Sequence, residues 1–138
     1  MRRFLARGAV LATVLVFAAG CGSSILSQIP TAPVQTITQT FTGTLTPSGG
    51  ETHPFTATNA GAITATLSAV GSGTAVTMGL SIGTWDGAAC HIVVANDQAV
   101  AGSSLGGNAS SAGNYCVRLY DVGTLTGPTA YTVVVVHP

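Results

Sequence analysis

From Thr36 onward, apolar and small polar residues alternate with a period of two. Phe41, Gly43 and Leu45 are interleaved with Thr42, Thr44 and Thr46. After Pro47-Ser48-Gly49-Gly50, Phe55 and Ala57 stand among threonines. Beyond Asn59-Ala60-Gly61, the residues Ile63, Ala65, Leu67 and Ala69 alternate with Thr and Ser. Past Gly71-Ser72-Gly73, Val76, Met78, Leu80 and Ile82 keep the same rhythm. An α-helix would need apolar positions three and four apart. A period of two instead places alternate side chains on opposite faces of a strand, one toward a core and one toward water. The breaks carry Gly, Pro or Asn, the residues that turn a chain between antiparallel strands.

The second half follows less regularly. Cys90 to Val94 reads as a short strand, and the Gly/Ser/Asn-rich stretch from Ala99 to Ala112 holds one edge strand at most. Tyr115, Val117 and Leu119 alternate with Cys116, Arg118 and Tyr120. Tyr131 to Val136 is a β-branched run too apolar for either face to be wet, which predicts a central strand. No helix is predicted after the N-terminal segment. The expected fold is all-β: seven to nine antiparallel strands in a two-sheet, jelly-roll-like sandwich spanning residues 38–138. The roughly one hundred residues suffice for one modest core and not for two.

Gly113-Asn114-Tyr115-Cys116-Val117-Arg118-Leu119-Tyr120-Asp121, followed by Tyr131-Thr132-Val133-Val134-Val135, resembles the bacterial pre-peptidase C-terminal domain, a jelly-roll-like β-sandwich. Phe41 to Leu45, Glu51 to Phe55 and Asn59-Ala60-Gly61 are similar to that family's opening hairpin. The resemblance spans about residues 38–137. It implies a sandwich, while the acidic residues are too few for the family's calcium-binding members.

The N-terminus has a different character. Arg2, Arg3 and Arg7 precede an uncharged apolar run, Ala9 to Ala19, and then Gly20-Cys21. A basic region, a short apolar region and a small-residue boundary form a secretory signal, and a run of eleven residues falls short of the roughly 20 that cross a bilayer as a helix. Ala18-Ala19-Gly20-Cys21 resembles a bacterial lipoprotein export signal. The resemblance implies that residues 1–20 are removed, that Cys21 is lipidated, and that residues 21–37, with Pro30 and Pro33, form a flexible tether. Two or more acyl chains make such an anchor stable. Gly22 after the cysteine implies the outer membrane or cell surface in a host with two membranes. The alternative is an ordinary signal cut nearby, with Cys21 left as a thiol.

Loss of the signal changes the charge and the thiol count. Three of the four basic residues lie within it, so residues 21–138 hold Arg118 against Glu51, Asp86, Asp97 and Asp121, a formal charge of −3, with no lysine. Binding to nucleic acid needs clustered cations, and that partner is excluded. With Cys21 lipidated, Cys90 and Cys116 remain as a pair in an oxidising compartment, which predicts a structural disulfide. Their spacing lacks the C-x-x-C of a redox site.

Few residues carry candidate chemistry. Gly102-Ser103-Ser104-Leu105-Gly106 matches G-x-S-x-G, with Asp121 and His137 following in hydrolase order. That motif needs a strand before it and a helix after it, and Gly107 to Ser111 is a poor helix start, so the stretch reads as a Gly/Ser loop. His53, His91 and His137 are too dispersed for metal-ligand spacing and read as partly exposed positions on strands or ends. No metal, cofactor or catalytic residue is expected. Trp85, before Asp86-Gly87, either presents its indole to a ligand or plugs the sandwich end beside Cys90. Arg118 shares a strand face with Cys116 and Tyr120, and is expected to form a surface ion pair of ~0–1 kcal/mol with a carboxylate. Trp85, Arg118 and Tyr120 are the candidate ligand contacts.

The reading is a lipid-anchored, non-catalytic binding or interaction module of the bacterial cell envelope, with a glycan or protein ligand. The alternatives are a structural envelope lipoprotein without a small ligand and, less favoured, a small serine hydrolase using Ser104.

Overall fold

The computed structural model describes residues 33–71 and 76–138. Cys21, the export segment and most of the tether lie outside the described residues. Eight strands follow one another: β1 (Ile37–Leu45), β2 (Gly50–Ala57), β3 (Gly61–Val70), β4 (Met78–Trp85), β5 (Cys90–Ala99), β6 (Ser104–Ala109), β7 (Gly113–Tyr120) and β8 (Thr129–His137). They form two antiparallel four-stranded sheets, ordered β1-β8-β3-β6 and β2-β7-β4-β5. This is the strand order of a jelly roll: consecutive strands pass from one sheet to the other, except β4 and β5, which pair as a hairpin within the second sheet.

The alternation seen in the sequence becomes the two faces of each sheet. Leu45, Ile63, Ala65, Leu67, Tyr131, Val133 and Val135 point inward from the first sheet. Phe55, Met78, Leu80, Ile82, Val117 and Leu119 meet them from the second. Each such aliphatic side chain contributes about 1.5–3 kcal/mol by leaving water. The intervening threonines of β1 and β3 face solvent.

Strand β8 is central, as its composition predicts, lying between β1 and β3. The expectation that both its faces are dry needs correction. Val134 and Val136 are half-exposed on the outer face. Thr40 and Thr66 flank Val134, and Thr38 and Thr64 flank Val136, so the threonine methyls shield the valines from the sides. The predicted edge strand within 99–112 is β6, and β5 extends beyond Val94 to Ala99.

Candidate functional site

Strand β4 ends at Trp85, and the chain turns at once into β5. Asp86 closes this turn: its Oδ1 accepts the backbone N–H groups of Ala88 (2.8 Å) and Ala89 (2.7 Å), and Gly87 takes the left-handed conformation the reversal needs, at φ 99°. Those donors, that of Ala89 foremost, together with His91, hold the Asp86 carboxyl well below the usual carboxylate range. His91 Nε2 lies 2.6 Å from Asp86 Oδ2 on an exposed surface.

The start of β5 then leaves the plane of its sheet. Cys90 is disulfide-bonded to Cys116 of β7, with Cα atoms 5.9 Å apart, as the cysteine count predicts. Strand β4 runs between β5 and β7, and strands separated by a third lie about 9.5 Å apart in a regular sheet. The arm therefore curls over the outer face of β4. Two features permit this. Val93 is an extra residue at a bulge between the Ile82–Val94 and Gly83–Ile92 pairs, and a bulge bends its strand and increases its twist. Gly83, opposite Cys116, has no side chain to hold the arm away. Cys116 consequently lies on an outward-facing register with 0% exposure.

Beside the disulfide, β7 presents Arg118 and Tyr120 on the same outer face. The Tyr120 ring lies on Gly79, where a Cβ would come within 2.6 Å of Tyr120 Cδ2. Its hydroxyl donates to Asp97 of β5. Burial, and then Asp97, push this phenol up to about 12. The Arg118 guanidinium carbon sits 5.7 Å from the Tyr120 ring centroid and its Nη2 lies over Gly50. The expected ion pair at Arg118 is corrected here. Among the described residues no carboxylate lies within ion-pair distance of Arg118, and the guanidinium instead rests on the neighbouring aromatic face, a cation–π contact worth about 0.5–1 kcal/mol at an exposed position.

Between Trp85 and Arg118 lies a groove of about 300 Å³. Gly50 and Thr52 of β2 form one side, and Ala88, Ala89 and Cys90 the other. Of the three predicted ligand contacts, Trp85 and Arg118 line it, and Tyr120 supports Arg118 from beneath. Trp85 is half-buried and stands beside Cys90 on the groove wall, so its ring is neither free in solvent nor a plug within the core.

The hydrolase-like residues are not brought together. Ser104 is exposed at the start of β6, with its Oγ 2.8 Å from Thr66 Oγ1. Asp121 lies in the β7–β8 loop, where its carboxylate accepts the backbone N–H groups of Ser48, Gly123, Thr124 and Leu125. His137 points into the core at 1% exposure, against Phe55 (ring centroids 4.8 Å) and with Nε2 3.2 Å from Gln39 Oε1. The expectation that His137 is partly exposed is thereby corrected: it shares its parity with Tyr131, Val133 and Val135. Among the described residues, no group of three or more His, Cys, Asp or Glu side chains is placed to hold a metal.

Two features escaped the sequence reading. At the β1–β2 seam, Tyr131 donates its hydroxyl to Glu51 and lies 2.6 Å from His53 Nε2, while the His53 ring stacks on Phe41 (4.9 Å, 16°). At the opposite seam, an apolar cavity of about 260 Å³ opens between Val93, Val94 and Ile82 on one side and Gly107 and Asn108 on the other. Next to it Ile92 and Val93 are 45% and 76% exposed.

No protein-family model matches the chain, and no curated protein matches it in sequence. Among solved structures it is similar to PliG of Aeromonas hydrophila, a periplasmic lysozyme inhibitor of g-type lysozyme. The two share 13% identity at a TM-score of 0.49, over 72% of this chain and 84% of that one. A likeness this distant carries no partner or activity across.

Proposed function

We propose that this protein is a non-catalytic binding module of the bacterial cell envelope, anchored by lipid at Cys21 and capturing its ligand in the groove between Trp85 and Arg118. The observation that carries the reading is the groove itself. It brings an indole and a guanidinium without a carboxylate partner to one concave site, and aromatic and arginine side chains dominate binding energy at recognition surfaces. A disulfide, a capped turn and a ring seated on Gly79 hold its walls, so little ordering is needed on binding. The resemblance of 113–135 to the pre-peptidase C-terminal domain and of 18–21 to a lipoprotein signal belongs to the same proposal.

Trp85 is the only tryptophan, so its emission reports the groove directly. A glycan array is expected to find a ligand whose capture is lost in Trp85→Ala, and titration of the wild-type protein with it is expected to change Trp85 emission saturably. Mass spectrometry of the mature N-terminus is expected to show an acylated Cys21. An unmodified peptide there would remove the anchor without touching the groove.

The exposed Ile92 and Val93 beside the apolar seam favour a second reading, a structural envelope lipoprotein that contacts only protein. Under that reading Trp85→Ala leaves all binding intact, and Val93→Asp removes it. For the hydrolase reading, a fluorophosphonate probe would have to label Ser104. With Ser104 turned outward and His137 inward, no labelling is expected.

A further inference from the structure

We propose that the groove recognises a sugar ring bearing a single carboxylate, that is, a uronic acid residue. The inference rests on the reading of the groove as a ligand site and names the chemistry of what enters it.

Arg118 sets the charge. Its planar guanidinium offers a fork of donors that matches a carboxylate with two parallel hydrogen bonds, and no protein carboxylate among the described residues occupies that fork. Tyr120 holds the cation in place from below.

The surroundings limit how much negative charge can enter. Asp86 caps the turn that supplies the Ala88–Ala89 wall, and Asp97 accepts from Tyr120 beneath Arg118. No other Lys or Arg occurs in residues 21–138. A phosphate dianion or a run of anionic groups would face two carboxylates with one cation to offset them. One carboxylate seated on Arg118 carries half the charge of a phosphate dianion, and the single cation matches it.

The rest of the groove suits a ring rather than a flexible chain. Trp85 supplies a flat apolar wall with a polar edge, complementary to the C–H face of a pyranose. Thr52 supplies a hydroxyl for the sugar's own hydroxyls. A volume of about 300 Å³ lies at the small end of ligand sites, with room for one ring and its carboxylate.

The experiment compares methyl β-D-glucuronide with methyl β-D-glucoside, which differ only in the carboxylate. The full chain is held in a detergent without a sugar headgroup. Trp85 emission and amide NMR shifts of Thr52, Ala89 and Arg118 serve as independent readouts. The glucuronide is expected to saturate both, and the glucoside to bind about tenfold more weakly, the worth of one charge-assisted contact. Arg118→Gln is expected to erase the difference, and Trp85→Ala to weaken both sugars. Equal binding of the two glycosides would overturn the carboxylate inference while leaving the groove a sugar site. Saturation by the acidic peptide acetyl-Ala-Glu-Ala-amide, with neither glycoside binding, would overturn the sugar inference while leaving the groove a ligand site. No shift at the groove with any of the three would overturn this inference and the reading beneath it.

Discussion

The backbone of His91 lies against Gly83. A Cβ on that glycine would stand 2.7 Å from the His91 carbonyl carbon and 3.0 Å from Ile92 Cα. This contact lets Cys90 approach Cys116 across β4 and so builds one wall of the groove. Gly83→Ala is therefore expected to push the β5 arm outward and destabilise the fold by about 1–3 kcal/mol, the usual range for forcing extra atoms into a packed site. Thermal unfolding measures the loss, and a thiol titration of the native protein should find an increased fraction of free Cys90 and Cys116. A fully oxidised, equally stable Ala variant would show that the arm does not depend on the glycine.

The disulfide closes a loop of 26 residues. Constraining a loop of that length in the unfolded chain is worth ~3.5 kcal/mol in the chain-entropy account, a large share of the roughly 5–15 kcal/mol that a domain has in total. Replacing both cysteines by alanine should lower the urea-derived unfolding free energy by about that amount. The same variant should weaken groove binding, since Cys90 lines the groove and its arm is no longer tied to β7. A loss below about 1 kcal/mol would mean that the oxidised and reduced unfolded chains are equally restricted.

Much of this architecture was legible because one property, the parity of apolar residues, decides which face each side chain takes. Ile63, Ala65 and Leu67 are inward for the same reason that Thr64 and Thr66 are outward. The rule also applied to His137, whose parity with Val133 and Val135 places it in the core. Reading it as a polar chain end set composition above register. Gly79 and Gly83 stand at the outward positions between the apolar residues of β4. Nothing in their neighbourhood announces that Tyr120 and the β5 arm lie upon them: Tyr120 comes from a strand distant in sequence, and the arm reaches Gly83 only because a bulge at Val93 bends β5. Charge alone pairs Arg118 with a carboxylate, whereas in the fold it lies against Tyr120, two residues along the same face of β7. Trp85 and Arg118 share the groove although Arg118 pairs with Ser81, four residues from Trp85 in the β4–β7 register. That register is a property of the assembled sheet.

Asp121 ties two loops together, with Oδ2 on the Ser48 N–H at 2.8 Å and Oδ1 on those of Gly123 (2.8 Å), Thr124 (2.9 Å) and Leu125 (3.1 Å). These donors, Ser48 foremost, hold its carboxyl below the ordinary value. A depressed carboxyl stabilises the fold above its unfolded value, and this contribution is lost as pH falls through the folded one. Asp121→Asn keeps the shape and removes the charge. It should lower the melting temperature at pH 7, and less so in strong acid, where the wild-type carboxyl is itself protonated. Hydrogen exchange should quicken at Ser48 and Gly123 and stay unchanged in β8.

His53 gives the fold a second pH dependence, near neutrality. Tyr131 donates its hydroxyl to Glu51, so toward His53 it acts as an acceptor. The 2.6 Å contact thus requires a proton on His53 Nε2, which the neutral ring supplies in one tautomer. Burial against Phe41 disfavours the charged ring, and Glu51 offsets that only in part, so the His53 pKa lies below the ordinary histidine value of 6.5. The unfolded chain then takes up its proton first as the pH drops. Stability is complete above about pH 6.5 and declines as pH falls from there through the folded pKa. The slope stays below the ~1.4 kcal/mol per pH unit of one whole proton, because the ring remains partly solvated. His53→Gln retains a donor for Tyr131 and removes the titration. Urea unfolding between pH 5 and 7.5 should show a decline in the wild type and a flatter profile in the variant. Identical profiles, or a wild type that gains stability on acidification, would show that His53 is not held neutral by its place in the seam.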